Sequence, residues 1–154
     1  MQRVFLDTCV LYPAHLRDTM LRLAEADLIQ PLWSEDILAE LRRNLCDRQK
    51  NDEPTAAKVD RLISTLNDFF PDSMVDGYQP LVDRMENHPK DRHVLAAALQ
   101  GDADVLLTFN LKDFEVRPIG EGFPELLHPD AFLLDVLDRS GLPGFAAEVR
   151  RHLD

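Results

Sequence analysis

The sequence is poor in cysteine and has no long apolar run. Its two cysteines, Cys9 and Cys46, have neither the density of a disulfide-stapled fold nor the spacing of a zinc site. No apolar run approaches the ~20 residues that a membrane helix needs. The opening MQRVFLDTCVLYP has an aspartate inside too short an apolar stretch to be a secretory signal. These absences predict a cytoplasmic protein without a membrane partner, in which both cysteines pack as small apolar side chains.

Basic residues are also scarce relative to acidic ones. The chain has 17 Lys and Arg against 28 Asp and Glu, a net charge of −11. Proteins that hold nucleic acid on a broad basic face draw affinity from Lys and Arg on phosphates, so the charge argues against that class. It leaves open a nucleic-acid enzyme whose carboxylates are neutralised by divalent cations, and it favours a basic partner. A solvated acidic surface accounts for most of the charge without either.

Short apolar runs alternate with amphipathic segments along the 154 residues, which we expect to form a single domain, 1–154. The predicted strands are RVFL, IQPLW, SMVD, ADVLLT and a weak one near residues 124–128. The predicted helices are 14–27, one capped by Ser34, 54–70, a short one in PLVDRMEN, 91–101, 129–139 and 143–153. This alternation predicts an α/β sandwich with a mostly parallel sheet.

Polar residues follow the first and fourth predicted strands. Asp7 ends RVFL; Thr108 and Asn110 end DVLLT, and Asp113 lies three residues further on. Sites in such folds form outside the carboxyl ends of the strands. We therefore expect these side chains at one edge of the sheet.

Two further acids are placed to reach that edge. Asp91 opens the helix that precedes DVLLT, and a helix antiparallel to the next strand begins at that strand's carboxyl edge. Asp91 shares a helical face with Leu95 and Ala98, so its carboxylate leans toward the core. Glu40 lies roughly 60° from Ile37 around its helix, on the rim of the apolar stripe. A rim position can reach a cleft.

Each acid also has an ordinary structural interpretation. Asp7 can be a turn former or a helix cap. Asp91 can satisfy a helix dipole, and Glu40 can be a solvated helix residue. Asp113 can cap the short turn that follows it.

Clustered carboxylates imply a particular chemistry. They repel and raise one another's pKa unless cations hold them. Oxygen ligands suit Mg²⁺ or Mn²⁺, and such a site is suited to metal-assisted hydrolysis of phosphodiester bonds. His88 and His93 are expected at the surface or in packing, because no histidine pair has ligand-like neighbours.

Four segments resemble a known family: VFLDTCVLYP, SEDILAELRRNL, KDRHVLAAAL and VLLTFNLKDF. Together they resemble the PIN-domain ribonucleases, the group that includes the VapC-type toxins of bacterial toxin–antitoxin pairs. The likeness runs over about residues 3–135, the expected core. Two longer stretches, residues 16–45 and HPDAFL, look like a bacterial subgroup with an extended C-terminus, here a helical extension over about residues 136–154.

The resemblance implies a three-layer α/β/α fold and a Mg²⁺- or Mn²⁺-dependent endoribonuclease acting on single-stranded RNA. It also implies frequent homodimers and often a protein antitoxin. An antitoxin commonly places a basic side chain in the acidic cleft, which suits the net charge of −11.

Carried over by position, the family's first three acids correspond to Asp7, Glu40 and Asp91. The fourth acid falls at Asn110, whose carbonyl can bind a metal but supplies no negative charge. Thr108 matches a hydroxyl that the family keeps beside the acids.

Two other positions near the motifs also bear on the site. Asp113, close to the fourth position, can substitute for the missing acid or form a hydrogen bond nearby. Cys9 stands where many members have Asn or Ser, and we interpret it as a packing residue. We further predict that five basic residues near the acids line the cleft for RNA: Arg42, Arg43, Lys90, Arg92 and Lys112. Arg150 and Arg151 fall in the predicted C-terminal helix.

Three other protein classes share part of this pattern. Haloacid-dehalogenase-type phosphatases need a second acid two positions after the first, where this chain has Cys9. A receiver-type phosphoacceptor domain would use Asp76 as acceptor and Thr108 as its hydroxyl, but it gives Glu40 and Asp91 no role. A catalytically silent PIN-like module that binds RNA or protein is favoured by Asn110.

Overall fold

A computed structural model describes residues 1–48, 55–115 and 122–140. The strands in these residues are β1 (Gln2–Leu6), β2 (Ile29–Ser34), β3 (Met74–Val75), β4 (Val105–Leu107) and β5 (Glu125–Leu127). The helices are α1 (Thr8–Leu11), α2 (Ala14–Glu25), α3 (Glu35–Arg48), α4 (Thr55–Phe69), α5 (Gln79–Val82), α6 (Arg92–Gln100) and α7 (Pro129–Ser140). Two 3-10 turns lie at Pro89–Asp91 and Leu111–Phe114. Within the described ranges, no helix is both long enough and apolar enough to cross a membrane.

The five strands form one sheet in the order β3-β2-β1-β4-β5, and every pair of neighbours is parallel. In register, Phe5 of β1 faces Leu32 of β2 on one side and Leu106 of β4 on the other. These three side chains are fully buried, as expected for central strands covered by helices on both faces. The predicted α/β/α fold with a parallel sheet is confirmed.

Local signals in the sequence explain several element boundaries. Ser34 ends β2, and its hydroxyl accepts a hydrogen bond from the Ile37 N–H at 3.2 Å, which is the predicted cap of α3. The one-turn helix α1 was not predicted. It forms because the Asp7 carboxylate accepts the Thr8 N–H at its start, directly after β1.

Other expectations need correction. The short helix in PLVDRMEN ends at Val82. At the end of the predicted helix 54–70, where apolar residues recur at helical spacing, Phe69 is 74% exposed, whereas Phe70 packs edge-on against Trp33. Cys9 and Cys46 are free thiols that are only half-buried. Pro54, the helix over 143–153 and most of the C-terminal extension lie outside the described residues.

Gly101, just after α6, allows the helix end to approach the sheet closely. A Cβ at this buried position would lie 2.8 Å from Cγ2 of Val75 and 3.4 Å from Cδ1 of Leu32. The contact with Val75 is too close, and Val75 is a buried β-branched residue with little freedom to rotate, so either Val75 or the end of the helix has to shift. We expect Gly101→Ala to lower the free energy of unfolding by about 1–3 kcal/mol in urea titrations. Gln100→Ala, at the exposed neighbouring position, is the control and should unfold within about 0.5 kcal/mol of wild type. Equal stability of wild type, Gly101→Ala and Gln100→Ala would contradict the close contact between Gly101 and the sheet.

Candidate functional site

Carboxylates from three separate segments meet in one cleft at the carboxyl edge of the sheet. Asp7 follows β1, Glu40 lies on α3, and Asp91 precedes α6; all three line a cleft of about 910 Å³. The rest of this acidic cleft is lined by Thr8, Cys9, Tyr12, Arg43, Asn44, Asp47, Lys90 and Asn110. The structure therefore brings together the acids that the sequence placed far apart.

The Asp7 carboxylate is buried, only 5% exposed, and is fully engaged. One oxygen accepts the Thr8 N–H at 2.8 Å, and the other accepts the Thr108 hydroxyl at 2.8 Å, with the Cys9 thiol 3.5 Å away. Burial raises the pKa of Asp7 more than these hydrogen bonds lower it, and the charge of Glu40 adds to the rise. The surrounding donors fix the direction in which this carboxylate points.

Glu40 is half-buried and held by both oxygens. The Thr8 hydroxyl donates to Oε2 at 2.7 Å, and Nε2 of His93 lies 3.0 Å from Oε1. The hydrogen bond from His93 lowers the pKa of Glu40 more than burial raises it, and Thr8 lowers it further. Burial lowers the pKa of His93, but the hydrogen bond and charge of Glu40 outweigh that effect and raise it. Glu40 and His93 thus favour each other's charged forms.

Asp91 is the least satisfied of the three acids. Asp91 is only 7% exposed, and its buried Oδ2 has no hydrogen-bond partner. It occupies the position before α6, but its side chain accepts no hydrogen bond from the N–H groups of that helix. The pKa of Asp91 is raised to about 6. Burial is the largest cause, the charges of Asp7, Asp113 and Glu40 contribute to the rise, and Lys90 opposes it.

The residues after β4 are divided between the cleft and the turn behind it. The Thr108 hydroxyl donates to Asp7 and accepts the Asn110 N–H at 3.1 Å, and Asn110 lines the cleft. Asp113 does not line it, although its carboxylate affects the pKa of Asp91. Asp113 lies in the turn Leu111–Phe114, where its main-chain carbonyl accepts the His88 N–H at 3.1 Å.

The five predicted basic residues also divide. Arg43 and Lys90 line the cleft, as expected. Arg42 instead binds an aspartate of α4 through two hydrogen bonds of 2.6 and 3.3 Å. Arg92 donates to a main-chain carbonyl of the preceding loop at 3.0 Å, and Lys112 lies outside the cleft wall. The prediction that all five line the cleft is therefore wrong for Arg42, Arg92 and Lys112; Arg150 and Arg151 lie outside the described residues.

Cys9 has more contact with the site than the packing role assigned to it. It lines the cleft, its sulfur lies 3.7 Å from the Thr108 hydroxyl, and it accepts the Phe109 N–H at 3.4 Å. Burial raises the pKa of the Cys9 thiol to about 11, and the charge of Asp7 contributes. Cys9 is therefore a neutral thiol at pH 7 that braces the loop after β4.

Several other contributors were missed by the sequence interpretation. Asn44 and Asp47 lie one and two turns from Glu40 on the same face of α3, so the helical spacing contained a signal for them. Thr8 and His93 carried no such signal, because their role depends on a contact with Glu40 across distant parts of the chain.

The donors in this cleft suit a hydrated divalent cation. Among residues 1–48, 55–115 and 122–140, no three His, Cys, Asp or Glu side chains are close enough to enclose an ion directly. Mg²⁺, however, keeps several waters and binds through one or two carboxylates. The partnerless oxygen of Asp91 and the repulsion between Asp91 and Asp7 are what such an ion would relieve.

Comparison with known proteins gives two results. Residues 3–112, more than half of the chain, match the family model described as PIN domain, and this range includes Asp7, Glu40, Asp91 and Asn110. A segment of 62 residues is 52% identical to the protein named "Putative ribonuclease VapC50" of Mycobacterium tuberculosis. That segment covers 40% of this chain but only 37% of the relative's length. The match favours a PIN domain over the receiver and dehalogenase interpretations. The chain belongs to the PIN-domain family.

Proposed function

We propose that this protein is a Mg²⁺- or Mn²⁺-dependent endoribonuclease that hydrolyses phosphodiester bonds of single-stranded RNA. The observation that supports this best is the meeting of Asp7, Glu40 and Asp91 in one cleft, with a buried oxygen of Asp91 left without a partner. The name of the M. tuberculosis relative agrees with a ribonuclease.

The carboxylates divide the work of holding a cation. Asp7 and Asp91 are the residues that would hold it, with Glu40 and Asn110 placed in the same wall to bind its waters. Asp113 is set back from that wall and contributes charge only. When bound, the cation supplies neutralisation of the carboxylates, activation of water and stabilisation of the leaving oxygen.

The chain's own residues orient these groups. Thr108 and the Thr8 N–H fix the Asp7 carboxylate, while the Thr8 hydroxyl and His93 fix that of Glu40. Such supporting hydrogen bonds keep ligands in place without reorganisation during the reaction.

The substrate needs positive groups at the cleft. Arg43 and Lys90 provide them beside the acids, where they can contact the phosphates that flank the scissile bond. The resemblance to VapC-type toxins extends the proposal to the toxin of a toxin–antitoxin pair. A protein antitoxin with a basic side chain would complement the same acidic cleft, and a homodimer is part of the proposal.

The test is cleavage of a panel of single-stranded and hairpin RNAs with Mg²⁺, Mn²⁺ or EDTA. We expect cutting that requires the metal and is lost in Asp7→Asn. Asp72→Asn is the matched control, because it neutralises an exposed carboxylate that lines a different cavity, at the opposite edge of the sheet; it should cut like wild type. Binding without cutting would support a catalytically silent PIN-like module instead. Asn110 would agree with that result, because it supplies no negative charge where the family has its fourth acid. Cutting that persists in Asp7→Asn would place the activity elsewhere.

A further inference from the structure

The acidic cleft poses a problem of affinity for RNA. Its wall has two basic residues, Arg43 and Lys90, against four acids. Ionic contacts to phosphate usually supply most of the affinity for nucleic acid, and the net charge of −11 opposes them. An RNA substrate therefore needs a second source of affinity, and aromatic rings beside the cleft are one such source.

Phe109 is an exposed aromatic residue in the right place. It is 41% exposed, and it lies between Thr108, which hydrogen-bonds Asp7, and Asn110, which lines the cleft. Its N–H also donates to Cys9, another residue of the wall. The backbone of Phe109 therefore borders the cleft, and its ring packs against His128, which follows β5 at the same carboxyl edge of the sheet.

The Phe109 ring is also held in position before any ligand arrives. It packs edge-to-face with His128, with ring centroids 4.9 Å apart and planes at 87°. His128 is anchored in turn, because its Nδ1 accepts the Asp130 N–H at 3.1 Å at the start of α7. A ring fixed in this way loses little conformational entropy on binding.

We propose that Phe109 stacks on an unpaired base of single-stranded RNA whose backbone crosses the acidic cleft. This inference rests on the proposed ribonuclease function and adds to it the residue that selects unpaired over paired RNA. Stacking tolerates any base, because every base has a π-face. It also explains why a large apolar side chain remains exposed beside a charged site.

The experiment measures binding rather than cleavage. Fluorescence anisotropy would follow short labelled single-stranded RNAs and a hairpin on an Asp91→Asn background, which keeps the RNA intact. We expect Phe109→Ala and Phe109→Leu to raise the Kd for single strands about 5- to 100-fold. Phe109→Trp should keep tight binding, and the weak hairpin binding should hardly change. Since no phosphate contact is lost, the salt dependence of binding should stay the same in all variants.

Phe69→Ala is the matched control, since Phe69 is 74% exposed and lines the cavity that also contains Asp72, at the amino edge of the sheet. It should bind like the background protein. Base stacking is reported directly by quenching of 2-aminopurine in the RNA, which should disappear in Phe109→Leu. Phe109→Leu keeps an apolar contact for His128, so a folding defect is not confused with loss of the ring.

The outcomes separate the two proposals. If the background protein binds single strands, Phe109→Ala and Phe109→Leu bind them equally well and the wild type cuts RNA, stacking is overturned and the ribonuclease proposal stands. If the background protein binds no RNA and the wild type cuts none, both are overturned together.

Discussion

Asp91→Asn is expected to reduce RNA cleavage by about 100- to 1000-fold and, without metal, to make the protein more stable at neutral pH. The first effect follows from the proposed role of Asp91, which is to hold a divalent cation with its charge; single electrostatic groups in active sites contribute effects of this size. The second follows from burial: ionised Asp91 has a carboxylate oxygen without a partner and lies near the charges of Asp7 and Glu40.

The pH dependence of this effect has a definite sign. The pKa of Asp91 in the folded protein, about 6, lies above its ordinary 3.8. Protonation therefore favours the folded state, and this contribution is complete below pH 3.8 and lost as pH rises through 6. At pH 8 the ionised carboxylate costs at most about 3 kcal/mol, and the Asp91→Asn variant avoids that cost.

Urea unfolding in EDTA between pH 4 and pH 8 measures both predictions. Wild type should lose stability over this range relative to Asp91→Asn, while the control Asp72→Asn should follow wild type. Adding Mg²⁺ should stabilise the wild type more than Asp91→Asn, because ligand binding to the folded state adds free energy only where the site is intact. Equal stability of wild type and Asp91→Asn at pH 8 in EDTA would refute the predicted cost of burying the ionised Asp91 carboxylate.

The acids of the site could be located from the sequence because each lies at a position that the fold class fixes. Asp7 directly follows a buried strand, and Asp91 directly precedes the helix leading to another, so a parallel sheet brings both to one edge. Glu40 needed only the period of a helix, which put it on the rim of α3.

The same period explains a wrong prediction. Arg42 is close to Glu40 in sequence but about 200° around α3, so it points to α4, where it binds Asp60. Arg43, three residues from Glu40, shares its face and lines the cleft. Position around the helix, and not proximity in sequence, decides which basic residue of α3 reaches the cleft.

Other features could not be read from the sequence at all. The contact between His93 and Glu40 joins residues 53 positions apart, and its existence depends on how α3 packs against the start of α6. Phe69 and Phe70 are adjacent and chemically alike, yet only Phe70 packs on Trp33. Such outcomes depend on tertiary distances of a few ångströms, which the pattern of apolar residues does not specify.

Glu40→Gln is expected to reduce cleavage by about 10- to 100-fold, because Glu40 is proposed to bind the waters of the cation, and, unlike Asp91→Asn, to destabilise the protein. Glu40 has hydrogen bonds from Thr8 and His93 on its two oxygens, and these favour its charged form. A neutral amide keeps the shape but weakens both bonds, and hydrogen bonds to charged groups contribute about 1.5–3 kcal/mol when intact. Because the glutamine oxygen can still accept from Thr8, we expect a loss of about 1 kcal/mol.

This loss should be greatest between about pH 4.5 and pH 6.5. The pKa of Glu40 lies below its ordinary 4.5, so its contribution is present above that pH and is lost as pH falls through the lowered value. The pKa of His93 lies above its ordinary 6.5, so its contribution is complete below 6.5 and is lost as pH rises through the raised value. Both partners are therefore charged throughout the range from pH 4.5 to pH 6.5.

Urea unfolding in EDTA at pH 5.5 and pH 9 should therefore show the larger penalty at pH 5.5, with the exposed Glu86→Gln as control. An NMR titration of the imidazole gives a second readout that does not depend on activity. Glu40→Gln removes the charge beside His93 and weakens its hydrogen bond, while burial and the smaller effects of Asp36 and Asp7 remain, so the pKa of His93 should fall. An unchanged titration of His93 in Glu40→Gln would show that the pair does not hold Glu40 in solution, and the opposite effects on stability predicted for Glu40→Gln and Asp91→Asn would then lose their physical basis.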